Sequence, residues 1–144
     1  MNIYRTKAKK LSGTDYGEVY KKSFNFFKLI KSKSRRRPYA RSAYFNKEKI
    51  FLELFWHHIN SKENHRDKIR RMKYFPCALE LIKQSRLEPV SKENPNKRSE
   101  LLHRFAGETR EGDVFYVQIK EEKRLGEKWL ISVFPTDKRK KTPR

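Results

Sequence analysis

The chain has 144 residues, enough for one compact domain with tails and too few for two domains of ordinary size. Lysine and arginine number 37 against 17 aspartates and glutamates, and the net charge of +20 repels itself unless a polyanion neutralises it. No apolar run approaches the roughly 20 residues of a spanning helix, so RNA, or DNA in its place, is the polyanion expected rather than a membrane.

The N-terminal stretch Met1 to Lys10 has the charges of a signal peptide without the apolar segment that follows one. Cys77 is the single cysteine and has no partner for an intramolecular disulfide or a cysteine-based zinc site. A reducing, cytoplasmic setting is expected. The charge is uneven along the chain. Residues 1–42 hold 13 basic and 2 acidic residues, residues 43–86 hold 10 and 5, residues 87–136 hold 9 and 9, and residues 137–144 hold 5 and 1. This divides the chain into a basic N-terminal extension (1–42), a single α+β domain (43–136) and a basic, disordered tail (137–144).

In chain order, Tyr16, Val19, Tyr20, Phe24, Phe27 and Ile30 fall at spacings of three and four and predict a helix over 14–31, with Asp15 suited to its start. Phe24, Phe26 and Phe27 have the chemistry to stack on bases, but burial is the stronger expectation. The run Lys31 to Pro38, with Arg35, Arg36 and Arg37, is too charged to pack and is a candidate phosphate-binding arm. Asn46 reads as an N-cap for a helix that carries Ile50, Phe51, Leu54, Phe55 and His58 and ends near Asn60. A second, more polar helix runs from about Glu63 to Tyr74. Arg66, Arg70 and Lys73 line one of its faces, Arg71 lies among them, and all four are candidate nucleic-acid contacts. Pro76 suits the first turn of a third helix with Ala78, Leu79, Leu81 and Ile82 inward. Residues 91–98 read as a loop.

The period then changes from helical to alternating over Leu101 to Phe105, Val114 to Lys120 and Trp129 to Phe134. Short connections join these runs, so the expected architecture is α+β, with N-terminal helices packed on a small C-terminal antiparallel sheet of three to four strands. Strict alternation puts Phe115, Val117 and Ile119 against the helices and Tyr116, Gln118 and Lys120 on the other face. In the last strand it groups Leu130, Ser132 and Phe134 against Trp129, Ile131 and Val133. Convergence of the polar positions would set His103 or Arg104, with Arg110, Gln118, Lys120 and Ser132, around one sheet face. That set suits cleavage of RNA by its own 2′-hydroxyl: a histidine moves protons near neutral pH, and Arg, Lys and Ser steady the phosphorane.

The segments Leu102 to Thr109, Gly112 to Lys120 and Lys128 to Pro135 resemble the C-terminal part of phage and mobile-element nucleases of the barnase–EndoU–colicin–RelE superfamily. The resemblance covers about residues 75–136. It implies a metal-independent, toxin-like endoribonuclease with no cofactor, in which His103 is the acid–base, Lys120 meets the phosphate and Ser132 orients it. This sheet shows no second histidine, which leaves Lys120 or Arg110 as the partner in proton transfer. An acidic antitoxin or immunity protein is the expected protein partner. The alternative is a non-catalytic, basic nucleic-acid-binding accessory protein of phage or mobile-element type, which has no need of the polar strand row. Glu53, His57, His58 and His65 fall short of the three or four convergent ligands of a zinc site, and His58 shares the apolar stripe of its helix.

Overall fold

The computed structural model describes residues 2–34, 36–61 and 64–136. Strand β1 (Ile3–Arg5) precedes helix α1 (Tyr16–Lys33), strands β2 (Tyr39–Arg41) and β3 (Lys49–Phe51), and helices α2 (Glu53–Ser61), α3 (His65–Lys73) and α4 (Phe75–Gln84). Four strands follow: β4 (Val90–Asn94), β5 (Lys97–Glu108), β6 (Val114–Glu122) and β7 (Lys128–Pro135).

Local chemistry accounts for the helix ends. The Asp15 carboxylate caps α1 by accepting from the Glu18 amide at 3.0 Å, and Lys31 and Lys33 complement the dipole at the other end. Val19, Ser23 and Phe27, spaced by four, form the buried face of α1. Phe24 and Phe27 pack against Trp56 at 5.0 and 5.8 Å between ring centres, so both serve the core. Asn64 caps α3, and Pro76 sits in the first turn of α4.

The expected small antiparallel sheet is replaced by one seven-stranded mixed sheet. Its order is β1-β5-β6-β7-β3-β2, with β4 also paired to β5. Strands β4 and β1 share one edge of the long strand β5: β4 lies antiparallel to its first half and β1 parallel to its end. Strand β3 runs parallel to the start of β7, and β2 closes the other side. Residues 1–42, expected as an extension, therefore contribute two sheet strands and a core helix. The tail 137–144 lies outside the described residues.

Two local readings are also corrected. Asn46 does not cap a helix: it and Lys47 are left-handed, with φ of 55° and 66°, in the turn from β2 to β3. Ile50 and Phe51 belong to β3, because the β-branched and aromatic pair lies between β2 and β7, and the helix starts only at Glu53. Residues 91–98 form the β4–β5 hairpin instead of a loop. Strand β4 is an edge strand with all but its last residue exposed, so it carries no apolar alternation to read.

The helices cover one face of the sheet. Phe105, Phe115, Val117, Ile119, Leu130 and Val133 are buried there with Phe55, Met72, Phe75 and Leu81, and each large side chain contributes about 1.5–3 kcal/mol. Gly107 is required for this packing, since a Cβ there would stand 2.5 Å from the Phe115 ring. Among the described residues, no helix is long and apolar enough to cross a membrane.

Candidate functional site

The opposite face of β5, β6 and β7 keeps partial exposure. Its composition follows from a defect in the ladder. Ser132 pairs with Gln118 but Leu130 pairs with Ile119, so Ile131 is an extra residue in β7. This bulge shifts the alternation by one. Leu130 and Val133 both turn to the core, while Trp129, Ser132 and Phe134 join Lys120, Gln118 and Tyr116 on the open face. The expected grouping of Leu130 with Ser132 and Phe134 fails for this reason.

The open face is an aromatic surface overlaid with cations. Tyr116 and Phe134 lie 5.5 Å apart. The Arg104 guanidinium sits over both rings at 5.2 and 5.5 Å, and Arg71 sits over Phe134 at 5.6 Å. Lys120 lies 5.0 Å from the Trp129 ring centre and is paired with Glu100 at 3.4 Å. Burial pushes the Glu100 carboxyl up, but the Asn94 amide and Lys120 outweigh it and hold the group below its ordinary value.

At the edge of this face, where β7 runs beyond its pairing with β3, helices α2 and α3 close a cleft of about 150 Å³. Phe55, His58, Ile59, Arg71, Ile131 and Ser132 line it. Three polar groups are fixed there. The bulged Ile131 carbonyl lies 2.8 Å from His58 Nδ1. A carbonyl only accepts, so Nδ1 carries the hydrogen of this bond, and in the neutral ring the lone pair belongs to Nε2. Arg71 donates from Nη1 to Ser132 Oγ at 2.8 Å and from Nε to Asp67 Oδ2 at 2.9 Å, which holds its guanidinium plane at the cleft. Such a group of side chains can accept a proton and hold an oxyanion side by side.

His103 is not part of this arrangement. It is 7 % exposed and points to the helix-covered face, opposite Lys120 and Ser132. The Ser91 hydroxyl lies 2.7 Å from its Nδ1, and Glu121 Oε1 lies 2.7 Å from its Nε2. The Phe45 ring meets its edge at 5.0 Å. The expected convergence of His103 with Lys120 and Ser132 is thereby corrected: its register partner is Ile119, a core residue.

The remaining predicted residues are scattered. Arg110 is exposed in the turn after β5 and does not line the cleft. Arg35 lies outside the described residues. Arg36 is exposed, while Arg37 pairs with Glu53 at 2.9 Å and covers the Phe51 ring, on the β2 side of the molecule. Arg66 and Arg70 are exposed on α3, Lys73 is half-buried, and only Arg71 of that helix reaches the cleft. Sequence reasoning passed over His58 because its helical position matches that of a packed residue, and over Phe134 because the bulge has no composition signal. No family profile matches the chain, and no curated protein or solved structure matches it.

Proposed function

We propose that this protein binds single-stranded RNA across the open sheet face and cleaves it at the α2–α3–β7 cleft. The observation that carries this reading is the convergence of His58, Arg71 and Ser132 on one cleft beside an aromatic, cationic surface. Bases stack on the layer that the Arg104 guanidinium forms over Tyr116 and Phe134, a contact tolerant of sequence. His58 Nε2 accepts the 2′-hydroxyl proton, and the freed oxygen attacks the adjacent phosphorus. Arg71 and the Ser132 hydroxyl steady the phosphorane. Lys120, on the same face, supplies the proton to the departing 5′-oxygen, leaving a 2′,3′-cyclic phosphate and a 5′-hydroxyl. The nucleophile belongs to the substrate, so the chain needs only to move protons and hold charge.

This reading keeps the ribonuclease chemistry implied by the resemblance to the barnase–EndoU–colicin–RelE superfamily and transfers the acid–base role from His103 to His58. The net charge of +20 supports a polyanionic substrate and an acidic protein as antidote. The test uses end-labelled RNA in the presence of chelator, with DNA of the same sequence as the control that lacks the nucleophile. His58→Gln is expected to slow cleavage by about 100-fold or more and to change RNA affinity little. Equal cleavage by His58→Gln, or equal cutting of the DNA, would remove the proposed mechanism. Binding without cleavage by the unaltered protein would leave the accessory-factor reading in its place.

A further inference from the structure

A second concavity lies at the other end of the sheet, between the β2–β3 turn and the end of α4. Its volume is about 660 Å³, within the range of roughly 300–1,000 Å³ typical of small-ligand sites. Tyr39, Arg41, Asn46 and Lys47 form one wall, and Lys83, Gln84 and Arg86 form the other. Among the described residues, all four charged groups of the lining are cations and no carboxylate lines it. Among the described residues none of the four makes an ion pair; Arg41 Nη1 donates to the Lys47 carbonyl at 2.9 Å and lies over the Tyr39 ring.

The wall that carries Arg41 and Lys47 is pre-organised. The Phe45 amide donates to the buried Ser42 hydroxyl at 3.0 Å, the Lys47 amide to the Ser42 carbonyl at 2.6 Å, and the Ala43 amide to the Ile82 carbonyl at 3.0 Å. Asn46 and Lys47 are consecutive left-handed residues, a conformation that L side chains rarely adopt and that recurs at binding sites. The negative end of the α4 dipole lies nearby and opposes an anion. Two of its last carbonyls, Leu81 and Ile82, are however already taken by the Ser85 and Ala43 amides. An adjoining concavity shares Tyr39 with the first and is lined by Lys33, Arg36, Arg37 and Lys49, with Glu127 as its one carboxylate among the described residues.

We propose that this pocket binds the phosphoryl group of a nucleotide, either a free mononucleotide or the 5′-phosphate end of an RNA strand. Four cations without an ion pair among the described residues, Arg41 held by the Lys47 carbonyl, surround a nucleotide-sized hollow and repel one another until a compact anion enters. The site does not depend on the cleavage reading above, since none of its residues lies in the α2–α3–β7 cleft.

The test measures binding of AMP, adenosine, and a tetranucleotide with and without a 5′-phosphate to the full chain, by calorimetry and thermal shift. AMP is expected to bind and raise the melting temperature, with adenosine at least tenfold weaker. The double variant Lys83→Gln/Arg86→Gln changes two exposed side chains and is expected to lose AMP affinity by tenfold or more while melting no lower than the unaltered protein. Lys28→Gln/Lys92→Gln, which removes the same charge elsewhere, is expected to bind AMP as before. A phosphorylated tetranucleotide tenfold tighter than AMP would identify the RNA end as the ligand, and equal affinity would identify the free nucleotide. Equal binding of AMP and adenosine, or equal loss in the two double variants, would show only general attraction to a polycation and overturn the site.

Discussion

Glu80 provides the sharpest test of how the N-terminal segment is held. From α4 its carboxylate accepts the Tyr4 hydroxyl at 2.8 Å, the Lys7 amide at 2.8 and 3.1 Å, and the Ala8 amide at 2.8 Å. Burial raises the Glu80 carboxyl, but the Lys7 and Ala8 amides, the Tyr4 hydroxyl and the Lys7 charge together outweigh burial and hold it below the ordinary value. Tyr4 responds in the opposite sense, pushed up to about 12 by its own burial and then by Glu80. Glu80→Gln keeps the shape and removes the charge. A hydrogen bond to a charged group exceeds a neutral one by about 1 kcal/mol. With three donor groups and partial exposure, the loss is about 2 kcal/mol, or about 4–8 °C in melting temperature for a chain of this size. A group whose folded pKa is depressed adds stability that is complete above its unfolded value and disappears as pH falls through the folded one. The gap between the unaltered protein and Glu80→Gln should therefore be full at pH 7 and shrink as the pH drops below the ordinary carboxylate value of 4.5. Thermal melts across this range measure it. A gap of the same size at pH 7 and pH 3 would trace the effect to shape rather than charge, and no gap at pH 7 would refute the anchoring role.

Other outcomes follow from the core and the buried polar groups. Gly107→Ala forces a methyl against Phe115 at 2.5 Å and Leu81 at 3.0 Å, both fully buried, and should destabilise the fold by about 1–3 kcal/mol in denaturant titration. His103→Ala removes the bonds to Ser91 and Glu121 and should cost about 1–3 kcal/mol while RNA cleavage below the melting point persists. Lost cleavage with an unchanged melting temperature would return His103 to the mechanism. Burial lifts the Cys77 thiol to about 12. It should stay unlabelled by a disulfide reagent at pH 8 in the native protein and react fully in denaturant; rapid native labelling would contradict its placement beneath the N-terminal segment.

The elements legible from residues alone are those whose signal is local. The spacing of Val19, Ser23 and Phe27, the Asp15 cap and Pro76 sit within single helices, and the alternation in β6 sits within one strand. The charge balance likewise needs no fold: a net charge of +20 follows from the residues however the chain is arranged. Strands β1, β2 and β3 are three residues each, too short for any period to appear, and they exist because long-range partners in β5 and β7 complete their hydrogen bonds. The site depended on the same distant pairings. One extra residue at Ile131 reversed the faces of half a strand and turned its carbonyl to His58, while register with Ile119 carried His103 into the interior. Composition and periodicity determined that this is a basic α+β protein. Which histidine lines a cleft was decided only in three dimensions, because strand register and bulges are set by contacts between residues far apart in the chain.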